Sequence, residues 1–303
     1  MRTGLFLLLS ACSAASTAPG SDDAVTDDSG VEDVTGQNPY DRDHLMEVEI
    51  ELSESDWETL RHQTRNLLDL IGGESCIEET WESPYDWFIG TVTIDGQRME
   101  MVEVRKKGLI GSQTSERPSL KLDFNDHIDD QAFMGLTRLT LNNGRQDGSR
   151  VVQCMGYWLY EDAGIPASRC SYAHVTVNGE DLGVYANVEP VKDPLLERHF
   201  GSSDGALFEG TLSDFRDGWT GSFDDKADDG DFAPVEAVAA ALESDDPVTA
   251  VGELIDLEAW HRAWAMEVLI GHWDSYSGNT NNFYVYVDPA DGKMRFIPWG
   301  IDA

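Results

Sequence analysis

Alternation of apolar and polar residues predicts strands along much of the front part of the chain. Met46–Leu52 alternates strictly, which is typical of a strand with one buried face. Similar patterns predict further strands at Phe88–Ile94, Met99–Val104, Ser119–Phe124, Leu139–Leu141, Ala173–Val177 and Leu182–Val188. Asp95-Gly96 and Asn178-Gly179 predict the tight turns of two hairpins.

Helical spacing is more frequent in the back part. Capping residues and apolar periodicity predict helices after Ser53 and at Arg150–Ala163, Pro194–Phe200, Pro234–Leu242 and Leu257–Ile270. Asp214–Asp231 is predicted to be a polar, acidic loop, and Phe283–Val287 and Met294–Ile297 are predicted to form a closing hairpin. The order predicts an α+β fold with a sheet-rich front half, a helix-rich back half and a cleft between them.

Composition and charge narrow the classes of function. A hydrophobic fraction of 41% over 303 residues is enough for a sizeable core and excludes a wholly disordered chain. Lys and Arg total 21 against 57 Asp and Glu, which gives a net charge of -36. A field of this sign repels phosphate backbones and anionic membrane surfaces, so nucleic acid is not an expected partner.

The N-terminal segment is typical of an export signal. Residues 1–12 contain one positive charge, a short apolar run and then Leu9-Ser10-Ala11-Cys12, which resembles a bacterial lipobox. Lipidation of Cys12 is therefore predicted, with an ordinary signal peptide cut nearby as the alternative. Residues 13–40 are predicted to be a disordered acidic tether. The expected location is the bacterial cell envelope, periplasmic or outer surface, with membrane contact only through the lipid anchor.

Three cysteines remain after Cys12, namely Cys76, Cys154 and Cys170. An exported chain can oxidise, so one disulfide and one free thiol are possible, and spacing alone leaves the pair open. No CxxC motif or cluster of Cys and His predicts a zinc site.

The segment His272–Asn279 carries the strongest chemical signal. Asp274 lies two residues after His272 and five before Asn279, the spacing of the protein-kinase catalytic loop. In that pattern the aspartate orients the acceptor hydroxyl and takes its proton, and the asparagine binds magnesium. A predicted hairpin then leads to Asp302, at the place of a second metal ligand.

Lys121 on its predicted strand is the candidate phosphate-binding lysine. Leu120 and Leu122 point to the opposite face, so alternation alone leaves open whether Lys121 faces a ligand or solvent. The strand that ends at Val188 continues into Glu189 and Val191, where a kinase hinge would hold adenine through backbone groups.

Several segments, in order, resemble the CotH-kinase family of atypical kinases, named after spore coat protein H. The resemblance covers roughly residues 45 to 303 and depends on five groups of residues: Met46–Leu60; Val104–Ser112 with Arg117–Leu122; Val177–Tyr185 closing at Glu189; Asn279–Tyr284; and Phe296–Asp302. Each motif is modest alone, and the ordered set identifies the chain as a member.

Membership implies an atypical protein-kinase-like, two-lobed fold within a domain at 41–303. The N-lobe would span about 45–190, and a C-lobe that is C-terminally incomplete would span about 191–303. By position, Asp274 would be catalytic. The nucleotide would be bound by Lys121, Gly108, Ser112, Glu189 and Val191. Asp302 and either Asn279 or Asn282 would hold Mg or Mn with ATP.

Two functions are expected from these residues. The first is an exported kinase that transfers the ATP γ-phosphate to Ser or Thr of a secreted or cell-surface protein. The second is a catalytically inactive kinase-fold surface protein that acts in adhesion or in envelope or coat assembly. Lys121, Asp274 and Asp302 favour the first. The end of the chain soon after Asp302, and Gln153 where a kinase helix carries glutamate, favour the second.

Overall fold

The computed structural model of the protein describes residues 38–66, 83–109, 111–227 and 230–301. Cys12, Cys76 and Asp302 lie outside these ranges, as do the predicted signal segment and nearly all of the tether. The strands are β1 Leu45–Glu51, β2 Trp87–Ile94, β3 Gln97–Lys107, β4 Ser119–Asp123, β5 Arg138–Asn142, β6 Cys170–Val177, β7 Glu180–Val188, β8 Leu207–Gly210, β9 Phe223–Asp225, β10 Phe283–Val287 and β11 Met294–Pro298. The helices are α1 Glu54–His62, α2 Val152–Asp162, α3 Asp193–Phe200, α4 Ala233–Leu242, α5 Pro247–Leu254, α6 Leu257–Ile270 and α7 Tyr276–Asn279.

The first seven strands form a closed barrel in the order β1-β2-β3-β4-β5-β7-β6. All neighbours are antiparallel except β1 and β6, whose parallel pairing closes the barrel. Alternation along the strands fills its interior, since Val48 and Ile50 are fully buried while Glu47 and Glu49 are exposed. The hairpin predicted at Asn178-Gly179 is confirmed, and both residues adopt positive φ, as a two-residue turn requires.

A second sheet of four strands lies behind the barrel, in the order β11-β10-β8-β9. One face packs into a largely aromatic core with α2, α4 and α6, which includes Phe208, Phe283 and Phe296. The other face packs on α3 through Tyr284 and Tyr286. The α+β prediction is confirmed, but the back half contains more sheet than the sequence predicts.

One expectation for the back half needs correction. The polar loop predicted at Asp214–Asp231 contains a short 3-10 helix at Thr220–Ser222 and β9. Phe223 explains the strand, because its ring is fully buried against Phe283. Helix α5 is a further element that the sequence pattern does not predict.

A disulfide joins Cys154 on α2 to Cys170 on β6. It settles the pairing that the sequence leaves open and ties this helix to the barrel wall. Both residues are buried. No helix among the described residues has the length and apolar character needed to cross a membrane.

Leu122→Ala is expected to lower the free energy of unfolding by about 3 kcal/mol, because it leaves a cavity inside the closed barrel. Urea unfolding of the purified protein measures the change. Glu49→Ala on β1 is the control: its side chain is exposed, so the expected change is within about 0.5 kcal/mol. Equal losses for the two variants would contradict the position of Leu122 in the barrel interior.

Candidate functional site

Asp274 lies at the centre of a ring of three asparagine amides. Its Oδ1 accepts hydrogen bonds from Nδ2 of Asn279 at 2.7 Å and Nδ2 of Asn281 at 3.2 Å. Nδ2 of Asn282 donates to Oδ2 of Asp274 at 3.0 Å and to its main-chain oxygen at 2.8 Å. Thr280 and Asn282 adopt positive φ, which turns the chain back so that all three amides reach one carboxylate.

His272 connects this ring to the segment after β11. The His272 ring is buried, and its Nε2 lies 3.2 Å from the main-chain oxygen of Gly300, so Nε2 carries the hydrogen. Burial lowers the pKa of His272, which favours the neutral ring. Gly300 has positive φ, and a Cβ there would lie 2.5 Å from Oδ1 of Asn282. The close approach of the two segments therefore requires glycine.

The oxygen atoms of the ring fit a hard divalent cation. Carboxylate and amide oxygens are the ligands that magnesium and manganese prefer. Oδ1 of Asn281 is buried and has no hydrogen-bond partner among the described residues. A buried acceptor without a donor is costly unless a cation or water satisfies it. The ring thus offers Asp274 and the oxygens of Asn279, Asn281 and Asn282 as possible ligands.

Lys121 points away from the barrel interior. Its neighbours Leu120 and Leu122 lie in the barrel core, so the ammonium is on the outer wall of β4. Register places Arg105 of β3 directly beside Lys121, and Lys107 is the next residue on the same face. The orientation that alternation leaves open is settled by this register and by the charged groups opposite.

Four of the six lysines in the sequence influence one another at this wall, although the chain is strongly acidic. They are Lys107, Lys121, Lys192 and Lys226. The pKa of Lys121 is lowered to about 7. Burial is the larger cause, and repulsion from Lys107 is the second. Like charges held together in a half-buried place favour the binding of an anion.

Glu209 on β8 faces the lysines from the second sheet. Its carboxylate pairs with Nζ of Lys226 at 3.0 Å, and Lys226 also pairs with Asp224 at 2.7 Å. Burial acts to raise the pKa of Glu209, but the nearby Lys226 and Lys121 outweigh it and hold the pKa below its usual range. The hydroxyl of Tyr284 also interacts with this carboxylate.

The lysine group and the Asp274 ring meet at one end of the second sheet. Tyr284 pairs with Glu209 and lies two residues after Asn282, a span of about 7 Å along a strand. The N–H of Trp299 donates to the main-chain oxygen of Asn282 at 3.1 Å. Nζ of Lys107 lies 5.7 Å from the centre of a Trp299 ring. Trp299 and Tyr284 therefore connect the lysine group to the Asp274 ring.

Gly108 and Ser112, which are predicted to bind nucleotide, lie close together directly after Lys107. Gly108 has φ of 123°, and a Cβ there would lie 2.5 Å from Oγ of Ser112. That hydroxyl donates to the main-chain oxygen of Leu109 at 3.2 Å. Tyr85 donates to the oxygen of Gly108, and Asn143 to the oxygen of Ser112. These hydrogen bonds hold Gly108 and Ser112 close to Lys107.

Glu189 and Val191 contribute to packing between the barrel and the back half. The Glu189 carboxylate is buried and pairs with Arg169 and Arg198, and its N–H donates to the Arg169 oxygen at 2.9 Å. Val191 is buried against α3 and the second sheet. The next residue, Lys192, belongs to the lysine group, and these two side chains do not.

Gln153 of α2 reaches the lysine group through an asparagine. Its Oε1 accepts from Nδ2 of Asn142 at 3.0 Å, and Nζ of Lys107 donates to Oδ1 of Asn142. Both amide side chains are buried. Helix α2 therefore contacts Lys107 through two neutral amide side chains, a relay formed by Gln153 and Asn142. A kinase has a lysine–glutamate ion pair at the corresponding place.

Sequence reasoning missed several members of this site, among them Asn281, Lys107 and Lys226. Asn281 falls between Asn279, which has the kinase spacing, and Asn282, which directly precedes a strand. The cluster of asparagines at 279–282 is a signal that could have included it. Lys107 lies on the strand that precedes Lys121, and an antiparallel pairing of those strands would have placed them on one face. Lys226 lies in the predicted acidic loop, and no local pattern connects it to Glu209.

Lysines beside a carboxylate that is held by asparagine amides are groups that a kinase-like, nucleotide-binding protein needs. A family model described as CotH kinase protein matches residues 104–303, more than half of the chain. The protein therefore belongs to the CotH kinase family, and the resemblance noted in the sequence is confirmed. A comparison with curated proteins finds no match.

Lys121→Met is expected to stabilise the ligand-free protein, most strongly below about pH 7. The folded-state pKa of Lys121, about 7, lies below its ordinary value of 10.5. Between these values the unfolded chain binds more protons, so wild-type stability rises with pH in that window. The advantage of the variant should therefore shrink as pH increases.

Urea unfolding between about pH 6 and pH 9 measures this difference. Arg98→Met, which removes an exposed cation from β3, is the control and should change stability by a similar amount at each pH. A pH-independent effect of Lys121→Met would contradict the buried, cation-rich setting of Lys121.

Proposed function

We propose that the protein is an ATP-dependent protein kinase that uses magnesium or manganese and phosphorylates Ser or Thr of a secreted or cell-surface protein. The observation that carries the proposal is the adjacency of the lysine group and the Asp274 ring at one end of the second sheet. Phosphoryl transfer needs neutralised phosphates beside a group that positions the acceptor hydroxyl, and these clusters supply both kinds of group.

In this proposal the fold is that of a two-lobed atypical kinase. The barrel of β1–β7 would serve as the N-lobe, and the second sheet with its helices would serve as part of the C-lobe. The family match supports this assignment, and so does the position of Lys121 on the outer wall of the barrel, opposite Glu209. The nucleotide would lie between the two sheets.

Each residue has a definite task in the transfer. Lys121 binds phosphate oxygens of ATP, with Gly108 and Ser112 beside them. Asp274, held by its asparagine ring, accepts a hydrogen bond from the acceptor hydroxyl. As that oxygen bonds to the γ-phosphorus and the bond to the β–γ bridging oxygen breaks, the hydroxyl proton passes to Asp274 and ADP leaves.

The metal would be held by the asparagine oxygens and by Asp302, which lies outside the described residues. A bound magnesium or manganese ion supplies positive charge that neutralises the phosphate oxygens. Asn279 and Asn282 are the ligands expected by family position. The buried, unpartnered oxygen of Asn281 makes it a third candidate.

We also infer that the chain is an exported lipoprotein of the bacterial cell envelope, anchored through Cys12. The lipobox-like residues 9–12 support the anchor. The Cys154–Cys170 disulfide supports an oxidising destination, because disulfides persist mainly outside the cytosol.

The alternative is a kinase-fold surface protein without catalytic activity, acting in adhesion or assembly. The observation that favours it is Gln153, which reaches Lys107 only through a neutral amide. Such a protein would bind nucleotide weakly or without turnover, so binding and turnover have to be measured separately.

ATP with magnesium is expected to raise the melting temperature of the wild-type protein by several degrees, since a ligand at about 100 times its Kd adds about 2.7 kcal/mol of stability. Lys121→Ala and Asp302→Ala should abolish the metal-dependent rise. Asp245→Asn, at an exposed position, is the control and should behave as wild type. Absence of a shift in well-folded wild-type protein would overturn the nucleotide site.

Asp274→Asn is expected to lower phosphotransfer by about 100-fold or more while ATP binding persists, because the amide keeps the shape of the carboxylate and cannot take a proton. Release of ADP and labelling of a mixed Ser/Thr peptide library by γ-labelled ATP are the measurements. If the wild type binds ATP and neither labels peptides nor releases ADP, the inactive alternative is supported instead.

A further inference from the structure

Glu267 is a buried carboxylate that the proposed chemistry does not use. It lies on α6, and its side chain is almost fully buried. The groups that influence its charge are Ser275, Tyr276 and Ser277, with no lysine, arginine or histidine among them. Burial raises the pKa of this carboxyl, and the hydrogen bonds that it accepts oppose that shift. A buried carboxylate without an ion pair among the described residues is expensive and calls for a physical reason.

The carboxylate binds the start of α7, the one-turn helix that follows Asp274 and ends at Asn279. Oε2 of Glu267 accepts the N–H of Ser277 at 3.1 Å. The N–H of Tyr276 and the hydroxyl of Ser275 also interact with it. The first N–H groups of a helix have no partner within the helix, and here a side chain from α6 satisfies them.

The end of α6 explains why Glu267 faces this loop. The helix ends at Gly271 in the left-handed conformation, and the N–H of His272 donates to the main-chain oxygen of Glu267 at 2.9 Å. In this type of helix end the two residues joined by that bond commonly pack together through apolar side chains. Here both are buried and polar.

The side chains of Glu267 and His272 therefore extend in two directions from the end of α6. His272 reaches Gly300, just before the end of the described chain, and Glu267 reaches α7. Each connects the rigid helix α6 to one of the two segments that flank the ring. His272 thus restrains the Gly300 segment, and Glu267 restrains the segment that contains the three asparagines.

A purely structural role would not require a carboxylate. An apolar side chain would fill the same volume but would leave buried N–H groups without acceptors. A glutamine would supply one amide oxygen for the Ser277 N–H and no charge. A charged acceptor forms shorter and stronger hydrogen bonds, which fixes the segment more tightly.

We propose that Glu267 is a positioning residue that sets the asparagine ring around Asp274 by holding the start of α7. The inference depends on the proposed function for its purpose, since the arrangement of the ring matters only if the ring holds metal and positions a hydroxyl. Residues that orient metal ligands without touching the metal commonly change metal affinity by about 10- to 100-fold when replaced.

The test compares Glu267→Leu and Glu267→Gln with wild type. Glu258→Gln is the matched control, because Glu258 is exposed on the same helix. Amide hydrogen exchange of residues 274–282 reports how tightly the segment is held when no ligand is bound. ATP affinity by calorimetry, with magnesium and with EDTA, reports the metal-dependent part of binding separately from the lysine group.

Glu267→Leu is expected to speed exchange in 274–282 by about tenfold and to leave β4 unchanged. It should reduce the magnesium-dependent gain in ATP affinity by about tenfold while affinity in EDTA stays within about threefold of wild type. Glu267→Gln keeps one acceptor oxygen without the charge, so it should recover only part of both properties. If Glu267→Leu does not fold, Glu267→Asp, which withdraws the carboxylate by one methylene, replaces it in the comparison.

Unchanged exchange in the folded variants would overturn the proposal. So would faster exchange with an intact magnesium-dependent gain, because Glu267 would then be a structural cap only. A wild-type protein that binds no ATP would overturn the proposed function instead. The exchange data would still decide whether Glu267 holds the segment.

Discussion

The pairing of β10 between β8 and β11 is the interaction on which the candidate site depends. β10 begins directly after Asn282, and β11 ends just before Trp299. The asparagine segment and the segment that contains Trp299 therefore leave the sheet at the same end. Alternation sends Phe283 into the aromatic core and Tyr284 toward Glu209. A shift of one residue in this register would exchange the two faces and separate the lysine group from the ring.

The charge of the chain sets a second constraint. A net charge of -36 opposes the approach of any polyphosphate, so the local lysines have to overcome a repulsive field. The field of exposed carboxylates is screened by salt, whereas the half-buried cations at the barrel wall are screened less. The local cations therefore act against the field of the chain as a whole.

Local structure could be predicted from the sequence, and long-range pairing could not. Strict alternation identifies the barrel strands because one face of each is buried, and Asn178-Gly179 identifies its hairpin. The closing contact between β1 and β6 joins segments far apart in the chain and leaves no local pattern. Lys121 and Asp274 were found by spacing and family resemblance. Glu209 and Lys226 were not, because their roles arise only when the two sheets face each other.

The disulfide has a consequence for when the site becomes fully restrained. Cys154 follows Gln153 directly on α2, and its partner Cys170 begins a barrel strand. The bond thus fixes the helix that supports Lys107 through Asn142. In a reducing compartment this covalent tie is absent, and α2 is held by packing and by hydrogen bonds such as the one from Trp158 to the Cys170 oxygen. Oxidation of the two thiols therefore adds a covalent restraint to a helix whose hydrogen bonds already reach the lysine group.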